Sequence, residues 1–217
     1  MKDFTDLKGF TWKFPNNDNS FINNLMTLKE YQLKQKMMIV HRPEMIDLSW
    51  VLDVGANVGL WTRWFKENGA GRIDCFEPVP ETADCLRRNT MDLDGIRIHE
   101  IGLSDKSKKL TLYNVAEKPD SGFYTSTPYK TFLTPYHEMH CEKLDDLGLD
   151  PTFIKVDIQG GEMDFLLGAR ETIMRCKPGF MIEGEQEDPD QATLSWLREL
   201  GYRLECSTSS DYLMVAQ

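Results

Sequence analysis

The chain has 217 residues, of which 41% are hydrophobic and 28% are charged, and its formal net charge at pH 7 is −10. This length suits one domain with an ordinary core, and this balance of apolar and charged residues is typical of a globular protein rather than a disordered one. The excess of negative charge disfavours a nucleic-acid partner, because non-specific binding to a phosphate backbone depends on Lys and Arg displacing counterions.

Cysteine spacing and hydropathy restrict the chemistry further. The chain has five cysteines, none of them in a Cys-x-x-Cys pair, and an odd number leaves one over in any disulfide scheme. This disfavours both a disulfide framework and a zinc cluster. The N-terminus lacks the apolar stretch of a signal peptide, and no apolar run approaches the roughly 20 residues of a membrane span. We therefore expect a cytoplasmic protein with reduced thiols.

Residues 1–49 differ from the rest of the chain. The turn-rich run Asn16-Asn-Asp-Asn19 breaks any regular element, and from Ser20 to about Met38 the apolar residues follow a loose helical period. Ser20 is available as the N-cap of that helix. We predict a partly helical N-terminal extension over 1–49 that packs on, or lids, a main domain over 50–217.

From Trp50 onward strands and helices alternate, which predicts an α/β fold: a Rossmann-like, doubly wound, mainly parallel sheet with helices on both faces. The predicted strands run approximately over 50–54, 72–76, 96–101, 152–156 and 179–183, and the predicted helices over 58–68, 80–89, 162–176 and 191–200. Segments 202–206 and 212–216 predict a C-terminal antiparallel hairpin at one sheet edge. Between 109 and 144 we predict one extra strand at 110–113 and then an irregular loop through Tyr136.

The first candidate site is the run Asp53-Val-Gly-Ala-Asn-Val-Gly59, in which a buried strand leads into a glycine turn that opens a helix. Gly55 and Gly59 allow a ligand to approach the backbone, and Asp53 supplies a negative charge where a cationic amine could lie. A dinucleotide fingerprint would read Gly-x-Gly-x-x-Gly, but Asn57 stands where its middle glycine would be. The spacing therefore favours S-adenosylmethionine over NAD.

Three later strand ends carry polar residues as well. Glu77 follows the second strand at close to the roughly 20-residue offset of a carboxylate that accepts hydrogen bonds from ribose hydroxyls. Ser104 and Asp105 follow the third strand, where an adenine ring could lie. Asp157 ends the strand Phe153-Ile-Lys-Val and precedes two glycines. Because ligands of open α/β sheets bind outside the carboxyl ends of the strands, we expect these groups to share one crevice.

Together these motifs resemble the FkbM family of class I methyltransferases. The matching segments are Asp53-Val-Gly-Ala-Asn-Val-Gly59, Phe76-Glu77-Pro78, Gly102-Leu-Ser-Asp105, Leu144-Asp-Asp-Leu147 and Ile154-Lys-Val-Asp-Ile-Gln-Gly160, in an agreement that runs from about Val51 to Glu183. The resemblance implies S-adenosylmethionine as methyl donor and a hydroxyl acceptor, often on a sugar or a secondary metabolite. Members commonly carry Glu-Gly after the fourth-strand Asp, whereas this chain has the amide Gln159 in place of that carboxylate.

The resemblance also implies which residues bind the cofactor. The residues carried over are Asp53, Gly55, Asn57, Gly59, Glu77, Pro78, Ser104, Asp105 and Asp157. The run from Asp53 to Gly59 would hold the methionine part and Glu77 the ribose. Ser104 and Asp105 would lie at the adenine end, and Asp157 near the methyl group.

A neutral hydroxyl must lose its proton during methyl transfer, so a general base is needed. The candidates are Asp157, His137 and His140, with Glu183 and Glu185 as outside candidates. A divalent cation held by Asp157 with Glu183 or Glu185 could replace the base, and we rank it below the metal-free route. Two other functions stay open: an NAD-dependent oxidoreductase or epimerase, and a non-catalytic binding module.

Overall fold

The structure is a computed structural model that describes residues 1–5, 9–15, 46–114, 124–125, 134–183, 192–207 and 211–217. The helix predicted from Ser20 to Met38 lies outside the described residues. The described strands are β1 (Lys2–Thr5), β2 (Thr11–Phe14), β3 (Trp50–Val54), β4 (Arg72–Phe76), β5 (Ile96–His99), β6 (Gly102–Leu103), β7 (Lys108–Asn114), β8 (Tyr124–Thr125), β9 (Thr134–Glu142), β10 (Phe153–Val156), β11 (Gly179–Glu183), β12 (Tyr202–Ser207) and β13 (Asp211–Ala216). The described helices are α1 (Leu60–Glu67), α2 (Pro80–Asn89), α3 (Glu162–Gly168), α4 (Arg170–Cys176) and α5 (Ala192–Glu199), with a 3₁₀ turn at Leu144–Leu147.

The described strands build a central sheet in the order β12-β13-β11-β10-β3-β4-β5. Strands β11, β10, β3, β4 and β5 are parallel, whereas β13 is antiparallel to both of its neighbours. This confirms the predicted doubly wound sheet with a C-terminal antiparallel hairpin. No helix among the described residues is long and apolar enough to cross a membrane.

Both faces of the central sheet are covered. Successive side chains of a strand point to opposite faces, and apolar residues at consecutive positions therefore supply a core on each side. On one face Leu52 and Ile154 pack with Phe165 of α3 and Leu197 of α5. On the other face a second cluster includes Val51, Ile73, Phe65, Trp61 and Leu86, the last three from α1 and α2. The two layers hold the strand ends of one edge in register.

The predicted helix over 162–176 is wrong in one respect, because it is two helices that meet at Ala169. Gly168 ends α3 so close to the second sheet that a Cβ there would lie 1.9 Å from the Ser104 carbonyl oxygen. A new helix then starts, since the Asp145 carboxylate accepts hydrogen bonds from the backbone N–H groups of Glu171 and Thr172 (3.2 and 2.8 Å). This is an N-terminal cap supplied from outside the helix.

The predicted loop through Tyr136 is also wrong in part. β9 starts at Thr134 and pairs antiparallel with β7, which is longer than the predicted extra strand, in a sheet of order β6-β9-β7-β8 among the described residues. The predicted third strand, extended to Ile101, ends at His99, because Gly102 and Leu103 pair with β9 instead. The apolar side of this second sheet packs on Val79, at the start of α2.

The described N-terminal residues form a hairpin, β1 with β2, that packs on α2. Trp12 and Phe14 are buried against Val58 and Cys85. The Asn89 amide joins this hairpin to the glycine turn, because its Nδ2 donates to the carbonyl oxygens of Lys13 (2.9 Å) and Val58 (2.8 Å). The domain boundary at residue 49 stays a prediction.

A buried carboxylate lies in the middle of β4. Asp74 is fully buried and accepts hydrogen bonds from Trp50 Nε1 (2.8 Å) and Arg72 Nε (2.7 Å), and its Oδ1 lies 2.8 Å from His99 Nε2. Burial acts to raise the pKa of Asp74, but the hydrogen bonds from His99, Arg72 and Trp50 outweigh it and leave the pKa below its ordinary value. This cluster links β3, β4 and β5.

We expect Asp74→Asn to lower the free energy of unfolding by about 2–4 kcal/mol at pH 7, because an N–H₂ group replaces one of the two buried oxygens that Trp50, Arg72 and His99 contact and the negative charge is lost. The folded-state pKa is lowered, so the stabilisation is present above the ordinary Asp pKa of about 4 and is lost as the pH falls below it. Urea denaturation at pH 7 and pH 3 measures both effects. Asp92→Asn is the control: Asp92 also pairs with an arginine, Arg63, but is half-exposed, so it should cost under about 1 kcal/mol. An equal loss in both variants contradicts the prediction.

Candidate active site

Four strand ends form a row at the carboxyl edge of the central sheet. The register pairs Val54 with both Phe76 and Val156, and Val156 with Ile182. The next residue on each strand is therefore Glu77, Gly55, Asp157 or Glu183, in that spatial order. Neighbouring strands lie about 4.8 Å apart, so the row spans about 14 Å. It brings three carboxyl groups to one edge of the sheet, with a glycine between the first and second.

The glycine turn after β3 is held close to both neighbouring strands. Gly55 N and Ala56 N both donate to the Phe76 carbonyl oxygen (3.0 and 3.1 Å). Gly55 has a φ of 76°, and a Cβ at this position would lie 1.9 Å from the Asp157 carbonyl oxygen. Gly55 is thus required by the packing of β3 against the β10 loop, a role that is separate from any approach of a ligand.

Glu77 is buried, and backbone donors already fix its carboxyl group. Its Oε2 accepts from Asn57 N and its Oε1 from Val79 N, each at 3.0 Å. Burial raises the pKa of Glu77 to about 7, although both hydrogen bonds oppose this shift. Asn57 adopts a left-handed conformation (φ 50°), which points its N–H at Glu77. The two predicted residues are therefore in direct contact, next to the half-buried Pro78.

Asp53 is fully buried beneath the glycine turn. Its Oδ2 accepts a hydrogen bond from the Thr62 hydroxyl (2.7 Å), and its Oδ1 lies 3.2 Å from the ammonium group of Lys155. The carboxylate is thus turned toward the protein interior and stabilises the turn from below. A direct contact between Asp53 and the amine of a ligand stays a prediction, and this burial argues against it.

Lys155 is a central residue of the site that the sequence analysis missed. Its Nζ donates to the Gly55 carbonyl oxygen (2.6 Å) and lies 3.9 Å from Asp157 Oδ2, in addition to the Asp53 contact. Burial acts to lower the pKa of Lys155, but the charges of Asp53 and Asp157 outweigh it and raise the pKa, so the ammonium stays charged. The available signal was a lysine between Ile154 and Val156, in a strand that is otherwise apolar.

Asp157 keeps an accessible side chain, 26% exposed, at the centre of the row. Gln159 Nε2 donates to Asp157 Oδ1 (2.9 Å) and to Glu183 Oε2 (2.8 Å). The Glu162 carboxylate holds this loop by accepting from Ile158 N (3.1 Å) and Gly160 N (3.0 Å). Glu185 lies outside the described residues.

Ser104 and Asp105 lie where β6 meets α3. The Ser104 hydroxyl donates to Asp105 Oδ1 (3.3 Å), and Lys108 forms ion pairs with Asp105 (2.6 Å) and with Asp164 of α3 (2.9 Å). The hydrogen bond from Lys108 outweighs the small effect of burial and lowers the pKa of Asp105. Their side chains thus hold the second sheet to α3, and their contact with an adenine stays a prediction.

His137 and His140 lie on β9, in the second sheet. Side chains of a strand alternate between its faces, so two residues three positions apart point to opposite sides. His137 shares a face with the buried Met139, which packs on Val79, whereas the exposed His140 pairs with Glu142 on the other face. The two histidines therefore point to opposite faces of the second sheet, and the role of either as general base stays a prediction.

Comparison with known proteins matches the chain to methyltransferases. Residues 53–204 match the family described as the methyltransferase FkbM domain. The chain is similar to the 2-O-methyltransferase NoeI of Sinorhizobium fredii (strain NBRC 101917 / NGR234), with 26% identity over 173 residues that cover 71% of this chain and 69% of that protein. It is 29% identical over 177 residues to Methyltransferase 1 of Beauveria bassiana (strain ARSEF 2860), covering 70% and 71% of the two chains.

Two solved structures share the fold. Methyltransferase FkbM from Methylobacillus flagellatus KT superposes with a TM-score of 0.54 at 21% identity, covering 76% of this chain but only 42% of that longer chain. Magnesium protoporphyrin IX methyltransferase (ChlM) from Synechocystis PCC 6803, solved with bound SAM, superposes with a TM-score of 0.56 at 10% identity, covering 94% and 86% of the two chains. At these identities the likeness concerns the fold alone.

We expect Lys155→Met to lower the free energy of unfolding by about 3–5 kcal/mol, because it leaves Asp53 buried without a counter-charge. Adding Asp53→Asn should recover part of this loss, since the double variant buries neither charge. Guanidinium denaturation of the two single variants and the double variant gives the coupling between the residues. Strictly additive losses would show that the two charges do not depend on each other.

A pair of glycine variants separates backbone strain from close packing. Gly55 and Gly69 both have positive φ (76° and 92°), but a Cβ at Gly69 meets nothing within 4 Å. We expect Gly69→Ala to cost about 1 kcal/mol, and Gly55→Ala to cost at least about 2 kcal/mol more or to prevent folding. Thermal unfolding of both variants checks this, and equal losses would contradict it.

Proposed function

Because the chain belongs to the FkbM methyltransferase family, we propose that it transfers a methyl group from S-adenosylmethionine to a hydroxyl group of a sugar, a glycan or a small metabolite. The observation that carries this proposal is the row of carboxyl groups, from Glu77 to Glu183, around the glycine turn. This arrangement agrees with the sequence resemblance, and the relative named as a 2-O-methyltransferase supports oxygen as the acceptor atom.

The charge of the row suits this cofactor. Around the turn Asp53 is neutralised by Lys155, which leaves Asp157 as an accessible carboxylate near Gly55. A cationic sulfonium is stabilised beside such a group, whereas the pyrophosphate of NAD would be repelled by it. Glu77 at the other end of the row suits the two hydroxyls of a ribose. The residues present therefore fit S-adenosylmethionine better than a dinucleotide.

We assign each residue a role on this basis. Glu77 binds the ribose, and the turn from Gly55 to Gly59 holds the methionine part. Asp157 accepts the proton of the acceptor hydroxyl, because it is accessible and lies beside the turn; His137 is the second candidate for this role. The bound cofactor supplies an electrophilic methyl group on a positively charged sulfur. The protein's main contribution is then to align the acceptor oxygen and hold the Asp157 carboxylate beside it.

The acceptor and the compartment belong to the same proposal. A small-molecule or glycan acceptor without nucleic acid is consistent with the net charge of −10, and the protein is proposed to act in the cytoplasm. Incubation with labelled S-adenosylmethionine and fractionated glycans, lipids and metabolites tests transfer, because a non-catalytic binding module would leave every fraction unlabelled.

We expect the wild-type protein to bind S-adenosylhomocysteine more weakly below pH 7, because Glu77, with its pKa raised to about 7, then becomes neutral and accepts hydrogen bonds less well. Glu77→Gln should bind about tenfold more weakly at pH 8 and show little change between pH 6 and 8. Calorimetric titration measures both. The control is Glu199→Gln, on the exposed end of α5, which should match the wild type. No binding by the wild type would overturn the cofactor assignment, and unchanged binding by Glu77→Gln would overturn the role of Glu77 alone.

A further inference from the structure

Asp157 lies between Gly55 on one side and Glu183 on the other. The pairing of Val156 with Ile182 brings Asp157 and Glu183 side by side at the ends of β10 and β11. Between them lies the Gln159 amide, whose Nε2 is within hydrogen-bonding distance of both carboxyl groups (2.9 and 2.8 Å). An amide N–H₂ carries two donors, so it can satisfy one oxygen of each group at the same time.

We propose that Gln159 and Glu183 are positioning residues that hold the Asp157 carboxylate in place on the acceptor side of the site, and that Glu183 and Asp157 share a single proton. This inference rests on the proposed function for the role of Asp157. The presence of a proton on the Asp157–Glu183 pair does not depend on that function, because it follows from the burial and the contacts of Glu183.

Several groups surround the Glu183 carboxyl. Asp157 and Gln159 face it from the β10 loop, Lys155 from β10 itself, and Asp211 is its register partner on β13. Burial and then the charge of Asp157 raise the pKa of Glu183 to about 9, with a smaller contribution from Asp211 and an opposing one from Lys155. At neutral pH Glu183 therefore keeps its proton and hydrogen-bonds to Asp157.

Asp157 is thus held from three directions. Lys155 lies below it, Gln159 donates to Oδ1, and Glu183 contributes its hydroxyl. Three such partners restrict the rotation of the carboxylate, while 26% of the side chain stays exposed. This restriction is the kind of support that orients a catalytic group before the acceptor arrives.

The backbone of the loop is arranged around Gln159. Gln159 has a φ of 58°, a left-handed conformation that a non-glycine residue rarely adopts. The N–H groups on both sides of it, from Ile158 and Gly160, are bound by the Glu162 carboxylate. This strained conformation is therefore maintained by a dedicated contact, and it directs the amide between the two carboxyl groups.

The shared proton has a measurable electrostatic consequence. Near neutral pH the Asp157–Glu183 pair carries one negative charge, and above about pH 9 it carries two. The second charge strengthens the attraction for a positively charged ligand and not for a neutral one. S-adenosylmethionine carries a sulfonium, whereas S-adenosylhomocysteine is neutral at sulfur and otherwise has the same amino-acid and nucleoside groups. The ratio of their affinities therefore reports this charge once the same ratio in Glu183→Gln, which contains only the titration of the ligands' own amino groups, is subtracted.

The experiment is calorimetric titration of the full chain with S-adenosylmethionine and with S-adenosylhomocysteine between pH 7 and pH 10. In the wild type, we expect the preference for S-adenosylmethionine to rise by about 3- to 10-fold with a midpoint near pH 9. In Glu183→Gln only the titration of the ligands' own amino groups should change the preference, because the amide preserves the shape and loses no proton. In Gln159→Leu the midpoint should move to higher pH, because the N–H that stabilises both anions is lost. Glu199→Gln should follow the wild type.

A ligand-free measurement separates this inference from the proposed function. The folded-state pKa of Glu183 is raised above its unfolded value, so its contribution to stability is lost as the pH rises toward 9. The Tm of Glu183→Gln relative to the wild type should therefore increase from pH 5 to pH 9. A constant Tm difference, or a wild-type affinity ratio that follows the ratio of Glu183→Gln at every pH, overturns the inference. If the wild type binds neither ligand while the Tm difference rises, the shared proton stands and the proposed function fails.

Discussion

The site depends on one buried cation. The Lys155 ammonium lies between Asp53 and Asp157 and also binds the Gly55 carbonyl oxygen. Burying a carboxylate costs several kcal/mol unless it is paired, and Asp53, one residue before the end of β3, is fully buried. The second carboxylate, Asp157, directly follows the neighbouring strand β10. This cation offsets the negative charges where the turn after β3 lies close to the loop after β10, at Gly55 and Asp157. Gly55 and Lys155 therefore act together to hold the turn after β3 against the loop after β10.

The three carboxyl groups of the row differ in burial and in charge state. Glu77, buried with two backbone donors, titrates near neutrality; Asp157 is the accessible carboxylate; Glu183 is neutral at physiological pH. Carboxyl groups thus differ in burial and charge state at positions that are one to three strand spacings apart. Under the proposed function, Glu77 faces the ribose, and Asp157, supported by Glu183, faces both the cationic sulfur and the acceptor hydroxyl.

The regular elements could be predicted from local patterns. The bounds of β3, β4, β11 and α2 agree with the sequence analysis, because each is a short, mainly apolar strand or a helix with proline at its start and an apolar face. The break at Ala169 could not be predicted, since it depends on Asp145, which is 26 residues away from Glu171 along the chain. The strand β9 was missed, although the alternation of Glu138 and His140 with the buried Met139 and Cys141 is a strand signal.

Strand-end motifs along the chain were enough to indicate the fold, the family and the edge of the sheet at which Asp53, Glu77 and Asp157 gather, because parallel strands deliver their carboxyl ends to the same place. Tertiary structure alone decided the contacts and the burial of each group there. Burial turned Asp53 inward to Lys155, alternation on β9 separated His137 from His140, and the pairing of β10 with β11 brought Glu183 to Asp157 through Gln159. Charge state and orientation are set by neighbours that are distant in sequence, and no local pattern contains them.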